Sequence, residues 1–140
     1  MIKKTLLLLL TGVCLLSAKG DTIDFWHVYY NDKLIKEFNQ VGYSNVVVIK
    51  NDEIKNTDSI TIRFYDDTPC NKCFVSLIVR DEKEDKLKKV DTVGESTIFK
   101  LSIKELQDIG IKNKSKYYEF VFYTNGKLRH QLFVLYVKIE

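Results

Sequence analysis

The dipeptide Asn125-Gly126 most narrows what this chain can fold into. Asn-Gly accepts the two positive φ angles of a type I′ turn, whose twist matches a pair of antiparallel strands. It stands between residues 117–124 and 127–139, both rich in aromatic and branched side chains. The end of the chain therefore reads as a β-hairpin. With a two-residue loop, Val121 is expected opposite His130 and Phe120 opposite Gln131.

Similar signals recur upstream. Residues 24–30 alternate and are aromatic, Asn31-Asp32 supplies a turn, and 33–38 form a second run. After a loop at 39–44, Val46 to Ile49 reads as a short buried strand, closed by the polar stretch 50–59. In 60–65, Ile60, Ile62 and Phe64 share one face and Thr61, Arg63 and Tyr65 the other, the period of a half-buried strand. Further strands are expected at 74–80, 87–93 and 97–101, with the mixed-charge run 81–86 as a solvated hairpin tip. Ser102-Ile103-Lys104-Glu105 has the form of a capping box, and a short helix is expected through Ile109, ending at Gly110. Eight or nine short strands with hairpin turns predict an all-β, antiparallel sandwich with one short helix before the last two strands.

The first residues have a separate task. Lys3 and Lys4 precede an apolar run to Leu16, and Ala18-Lys19-Gly20 offers small residues for cleavage. That is the pattern of a secretory signal peptide, and the run is shorter than the roughly 20 residues of a membrane-spanning helix. Residues 1–20 are read as the leader and 21–140 as one β-domain, exported to the periplasm or secreted. The competing reading is a lipoprotein modified at Cys14. Val13 stands where that processing wants a small residue, which favours the simple leader.

Removing the leader changes the charge argument. The chain has 22 basic and 19 acidic side chains, and the leader holds Lys3, Lys4 and Lys19, so 19 face 19 in the mature domain. No basic footprint remains for nucleic acid or for an anionic membrane surface. An aromatic content of 12% with a single proline fits a packed β interior. Phe25, Trp26, Tyr29, Tyr30, Tyr117, Tyr118, Phe120, Phe122 and Tyr123 are expected mainly in that interior. Tyr29, Tyr65, Tyr117 and Tyr123 are the candidates for an outward partner patch.

Chemistry-bearing residues crowd together in one place, Asp66-Asp67-Thr68-Pro69-Cys70-Asn71-Lys72-Cys73. With Cys14 removed, two cysteines remain in an exported chain, and a disulfide is expected between Cys70 and Cys73. Pro69 favours the tight turn such a bridge needs. A thioredoxin-like role would want the first cysteine at a helix N-terminus. Here a strand-like run follows Cys73, and Asp66 and Asp67 would disfavour a thiolate. No Gly-x-Ser-x-Gly elbow, EF-hand spacing or phosphate-binding glycine loop occurs. The chain is therefore read as a non-enzyme, with no cofactor expected.

Residues 101–110 followed by Tyr117 or Tyr118 resemble the strand, helical turn and tyrosine corner of immunoglobulin-like domains. Leader, small β-domain and Thr68-Pro69-Cys70-Asn71-Lys72-Cys73 loop together resemble small secreted bacterial proteins without an assigned role. The first resemblance implies an immunoglobulin-like β-sandwich, in which the cysteine loop and Asn125-Gly126 share one end. His130 would then approach the cysteines, giving three zinc ligands at most.

The function expected is binding, with another protein as partner, centred on Asp66, Asp67, Asn71, Lys72, Asn125 and His130 around the disulfide. The alternatives are an envelope immunity or inhibitor protein acting on a toxin or enzyme, and a small thiol or zinc protein using Cys70 and Cys73.

Overall fold

The computed structural model describes residues 23–42, 45–50, 54–67, 70–94 and 97–138. The leader, Cys14 and Pro69 lie outside these residues. Strands run in the order β1 (Phe25–Tyr30), β2 (Lys33–Asn39), β3 (Val46–Lys50), β4 (Ser59–Tyr65), β5 (Phe74–Arg80), β6 (Lys86–Val93) and β7 (Thr97–Ser102). Helix α1 (Ile103–Asn113) follows, then β8 (Tyr118–Thr124) and β9 (Lys127–Lys138). One sheet has the order β2-β1-β4-β7 and the other β3-β9-β8-β5-β6. The all-β class and the helix before the last two strands are as the sequence predicts.

The period of two does the building. Trp26 and Val28 on β1, Ile60, Ile62 and Phe64 on β4, and Val75, Leu77 and Val79 on β5 all turn inward and are buried. The two inward faces meet in one core. Phe64 of the first sheet stacks on Phe122 of the second at 4.0 Å, and Phe120 stacks on Phe133 at 4.4 Å. Each such ring contributes about 1.5–3 kcal/mol by leaving water.

Four expectations are corrected. The second sheet is mixed: β3 pairs in parallel with β9, Val46 beside Val134 and Ile49 beside Val137. Hydrophobic period reports which face is buried but not strand direction, and no hairpin constrains two strands so far apart in sequence. β3 is also an edge strand rather than a buried one, with Val47 and Ile49 covered and Val46 and Val48 exposed.

The last hairpin has its two-residue loop, with Thr124 opposite Lys127 and φ of 50° and 76° at Asn125 and Gly126. Beyond it the register slips between Phe122 and Tyr123, so that His130 faces Phe122 and Gln131 faces Val121. Arg129 is the extra residue of a bulge. Partners across a ladder share a face, so the bulge gives His130 the inward side that Phe122 occupies.

The helix does not end at Gly110. Ser102 caps it through Oγ, which accepts the Glu105 N–H at 3.3 Å, but it runs on to Asn113 and closes at Lys114 with φ 57°. Gly110 serves a close approach instead, since a Cβ there would lie 2.0 Å from the Tyr118 hydroxyl oxygen. That hydroxyl donates to the Leu106 carbonyl at 2.8 Å and ties α1 to the start of β8.

Two side chains also depart from expectation. Phe25 lies on the outer face of its sheet, stacked on Tyr65 at 4.5 Å. Asp81 in the charged tip is buried, with Oδ1 accepting the N–H groups of Lys83 and Asp85 at 2.9 Å each.

Candidate functional site

The cysteine loop and the Asn125-Gly126 turn meet at one end of the fold because β5 and β8 pair from Val75 opposite Thr124. Cys70 and Cys73 form a disulfide with Cα atoms 5.5 Å apart. Two neighbouring turns are anchored to it. Gly94 donates its N–H to the Cys73 carbonyl at 3.2 Å. Asn125 exchanges bonds with Phe74, donating N–H to its carbonyl at 2.7 Å and accepting its N–H at Oδ1 at 3.0 Å. The Asn125 amide also approaches Cys73 Sγ at 3.4 Å. The juxtaposition of Asn125 with the cysteines is the one the fold resemblance implied.

Asn71 and Lys72 are exposed at the tip of the staple, and Asp66 is half-buried beneath it. Asp66 and both cysteines line a cavity of about 20 Å³ with Thr97 and Thr124. That is room for a water-sized species only.

His130 sits elsewhere than the zinc reading required. Its Nε2 lies 2.5 Å from Asp24 Oδ2, and its ring stacks on Trp26 at 6.1 Å. The disulfide occupies both sulfurs. Asp24 is only 2% exposed, and its Oδ1 accepts the Asp67 N–H at 2.9 Å. Burial pushes the Asp24 carboxyl up, but the Asp67 N–H and the His130 ring outweigh it and hold the group below its ordinary value. The carboxylates of Asp24, Asp66 and Asp67 come within 4.8 Å of one another. Both oxygens of Asp24 are already engaged within the protein, so the trio reads as a knot joining β1, the β4–β5 loop and β9.

Sequence reasoning missed Asp24 as a member of this end. Its partner His130 is 106 residues away, and no local pattern marks such a pair. A second buried carboxylate, Asp58, holds the opposite end of β1: it accepts from the Lys55 N–H and the Asn31 amide at 2.8 Å each and from the Tyr30 hydroxyl.

The outer face beside the disulfide is apolar. Phe74 is 68% exposed and stands opposite Val93, 57% exposed, across the β5–β6 ladder. Leu128, equally exposed, stands opposite Tyr123 across β8–β9. Strand alternation puts Phe74, Val93, Tyr123 and Leu128 on one face, since their neighbour Val75 is buried. Of these four, the sequence reading named Tyr123 alone as a candidate for an outward patch.

Removing the staple with Cys70→Ser/Cys73→Ser is expected to lower stability by about 1–2 kcal/mol, less than for a long loop because the closed ring is short. Urea unfolding of the oxidised, reduced and doubly substituted chains checks this. The reduced wild type should match the double variant.

Among the described residues no helix is long and apolar enough to cross a membrane. No known protein-family model matches the chain, and no curated protein matches it in sequence.

Proposed function

We propose that this chain is an exported, non-enzymatic β-sandwich of immunoglobulin-like architecture that binds another protein at its cysteine-stapled end. The observation that carries the reading is the exposed group Phe74, Val93 and Leu128 beside the anchored disulfide loop. Large apolar side chains clustered on a surface are unfavourable in water unless a partner covers them. Around them Asn71, Lys72 and Asn125 supply a polar rim. The staple and the Asn125 bonds hold the loop in place before binding, which lowers the ordering cost of association.

The immunoglobulin-like assignment draws support from the strand order, from α1 between β7 and β8, and from the Tyr118 hydroxyl bonded back to Leu106. Export rests on the leader at 1–20 and is consistent with a closed disulfide.

The test is crosslinking in the native cell envelope with a photoreactive group at Lys72, read by mass spectrometry. A defined partner should be captured by the wild type and lost in Phe74→Asp and Leu128→Asp, both of which should stay folded because the sites are exposed. Undiminished capture by these variants would place the interface elsewhere. Equal capture by Cys70→Ser/Cys73→Ser would show that the staple aids stability only.

A further inference from the structure

We propose that the open edge of β3, with the cleft beneath it, takes an added β-strand from a partner protein. The added segment would carry apolar side chains at alternate positions and carboxylates at its flanks. This site is distinct from the cysteine-stapled end and does not depend on that reading.

The argument begins with how the sheet edges are protected. Exposed edges invite pairing with other chains, and proteins blunt them with lysines, bulges or cover. β2 carries Lys33 and Lys36 and has an irregular register with β1. β6 carries Lys86, Lys88 and Lys89 and is also irregular where it meets β5. β7 has Lys100 at its centre and runs straight into α1. β3 reads Val46-Val47-Val48-Ile49-Lys50, with regular register to β9 and no lysine before its last residue. Among the described residues nothing pairs with its other side.

The backbone there is ready to bond. The Asn45 carbonyl accepts from Val134 N–H of β9 at 2.8 Å. Alternation then directs the N–H and C=O groups of Val47 and Ile49 toward β9, and those of Val46, Val48 and Lys50 to the open edge. Unpaired strand groups of this kind give strand addition its affinity, and pockets for alternate side chains give its specificity.

Such a pocket is present. A cleft of about 350 Å³ opens between β2 and β3, lined by Tyr30 and Ile35, by Val47, Val48 and Ile49, and by Lys36 and Lys50. Its size falls at the lower end of ordinary ligand sites, about 300–1,000 Å³. A strand laid on the β3 edge would send every second side chain into this apolar cleft, and the others beside Val48, itself 59% exposed. Neither Lys36 nor Lys50 has an ionic partner among the described residues. Two cations without an ionic partner among the described residues stand beside the cleft and select a segment with acidic flanks.

The test uses the full mature chain and two synthetic peptides of alternating valine and threonine, one ended by aspartates and one by lysines. Binding is read by NMR shift changes and by fluorescence anisotropy up to about 1 mM peptide. The acidic peptide is expected to shift the amides of Val46 to Lys50 and to bind at least about 10-fold more tightly than the basic one at low salt, the gap closing as salt is added. Val48→Pro removes an outward N–H while leaving the groups that pair with β9, and should abolish binding. Val48→Lys, which guards the edge without touching the backbone, should weaken it about 10-fold or more. Urea midpoints near wild type show that both variants are folded.

No binding of the acidic peptide, equal binding of the basic one, or binding unaffected by both variants overturns the proposal. So does a dimer in analytical ultracentrifugation that Val48→Lys dissociates, because the edge then belongs to a second copy.

Discussion

Replacing Asp24 by alanine is expected to destabilise the protein by about 3 kcal/mol. The carboxylate is almost fully buried, and it satisfies both the Asp67 N–H and the His130 ring. Truncation leaves two donors facing an apolar gap beside Trp26, and unmet buried groups cost about 1–3 kcal/mol each. The side chain of His130 keeps 19% exposure, so water relieves part of its loss and the figure stays at the low end for a broken buried pair. Urea unfolding at neutral pH measures the effect, and a loss under about 1 kcal/mol would mean the knot is not structural.

The same group sets a pH dependence. Its folded pKa is depressed, so its contribution is fully present above the ordinary aspartate range and is lost as pH falls through the folded value. Stability should therefore drop steeply below about pH 4 in wild type and less steeply in Asp24→Asn. The slope should not vanish, because Asp58 has the same sign: the Lys55 N–H, then the Tyr30 hydroxyl and the Asn31 amide, hold its carboxyl low. Identical acid limbs for Asp24→Asn and wild type would refute the assignment.

Gly110→Ala is expected to cost about 2 kcal/mol, although alanine normally strengthens a helix by about 1 kcal/mol over glycine. The new Cβ would sit 2.0 Å from the Tyr118 oxygen and 2.9 Å from Cζ of the ring. The ring is buried and its hydroxyl is committed to Leu106, so it cannot swing aside without breaking that bond. Overpacking of about 1–3 kcal/mol plus a lost bond of about 1 kcal/mol outweighs the helical gain. In a Tyr118→Ala background the clash is gone, and Gly110→Ala should become neutral or stabilising. Additive effects in that double-mutant cycle would exclude the contact as the cause.

The β6–β7 region, the paired aromatic rows and the Asn125-Gly126 loop were legible because period and turn chemistry are local properties. Ile60, Ile62 and Phe64 could face only one way once their strand was recognised. The Cys70–Cys73 staple was legible because its partners are three residues apart. The bulge at Arg129 was not, since a slip of register depends on what each face of β9 meets across two sheets. Its consequence is large: it turns His130 inward to Asp24 and away from the zinc arrangement expected beside the cysteines.

By itself, the sequence determined strand positions, the alternation of faces along each strand, the helix start at Ser102 and the stapled loop, all matters of spacing within a few residues. The tertiary structure decided which edges stay open, which apolar residues remain in water and which buried charges find partners. Gly110 shows why: its role depends on a tyrosine ring from another element, not on the helix it sits in. Asn125-Gly126 shows the limit from the other side. The dipeptide dictated the turn, because two backbone angles suffice for that, but the register beyond it belonged to the packing of both sheets.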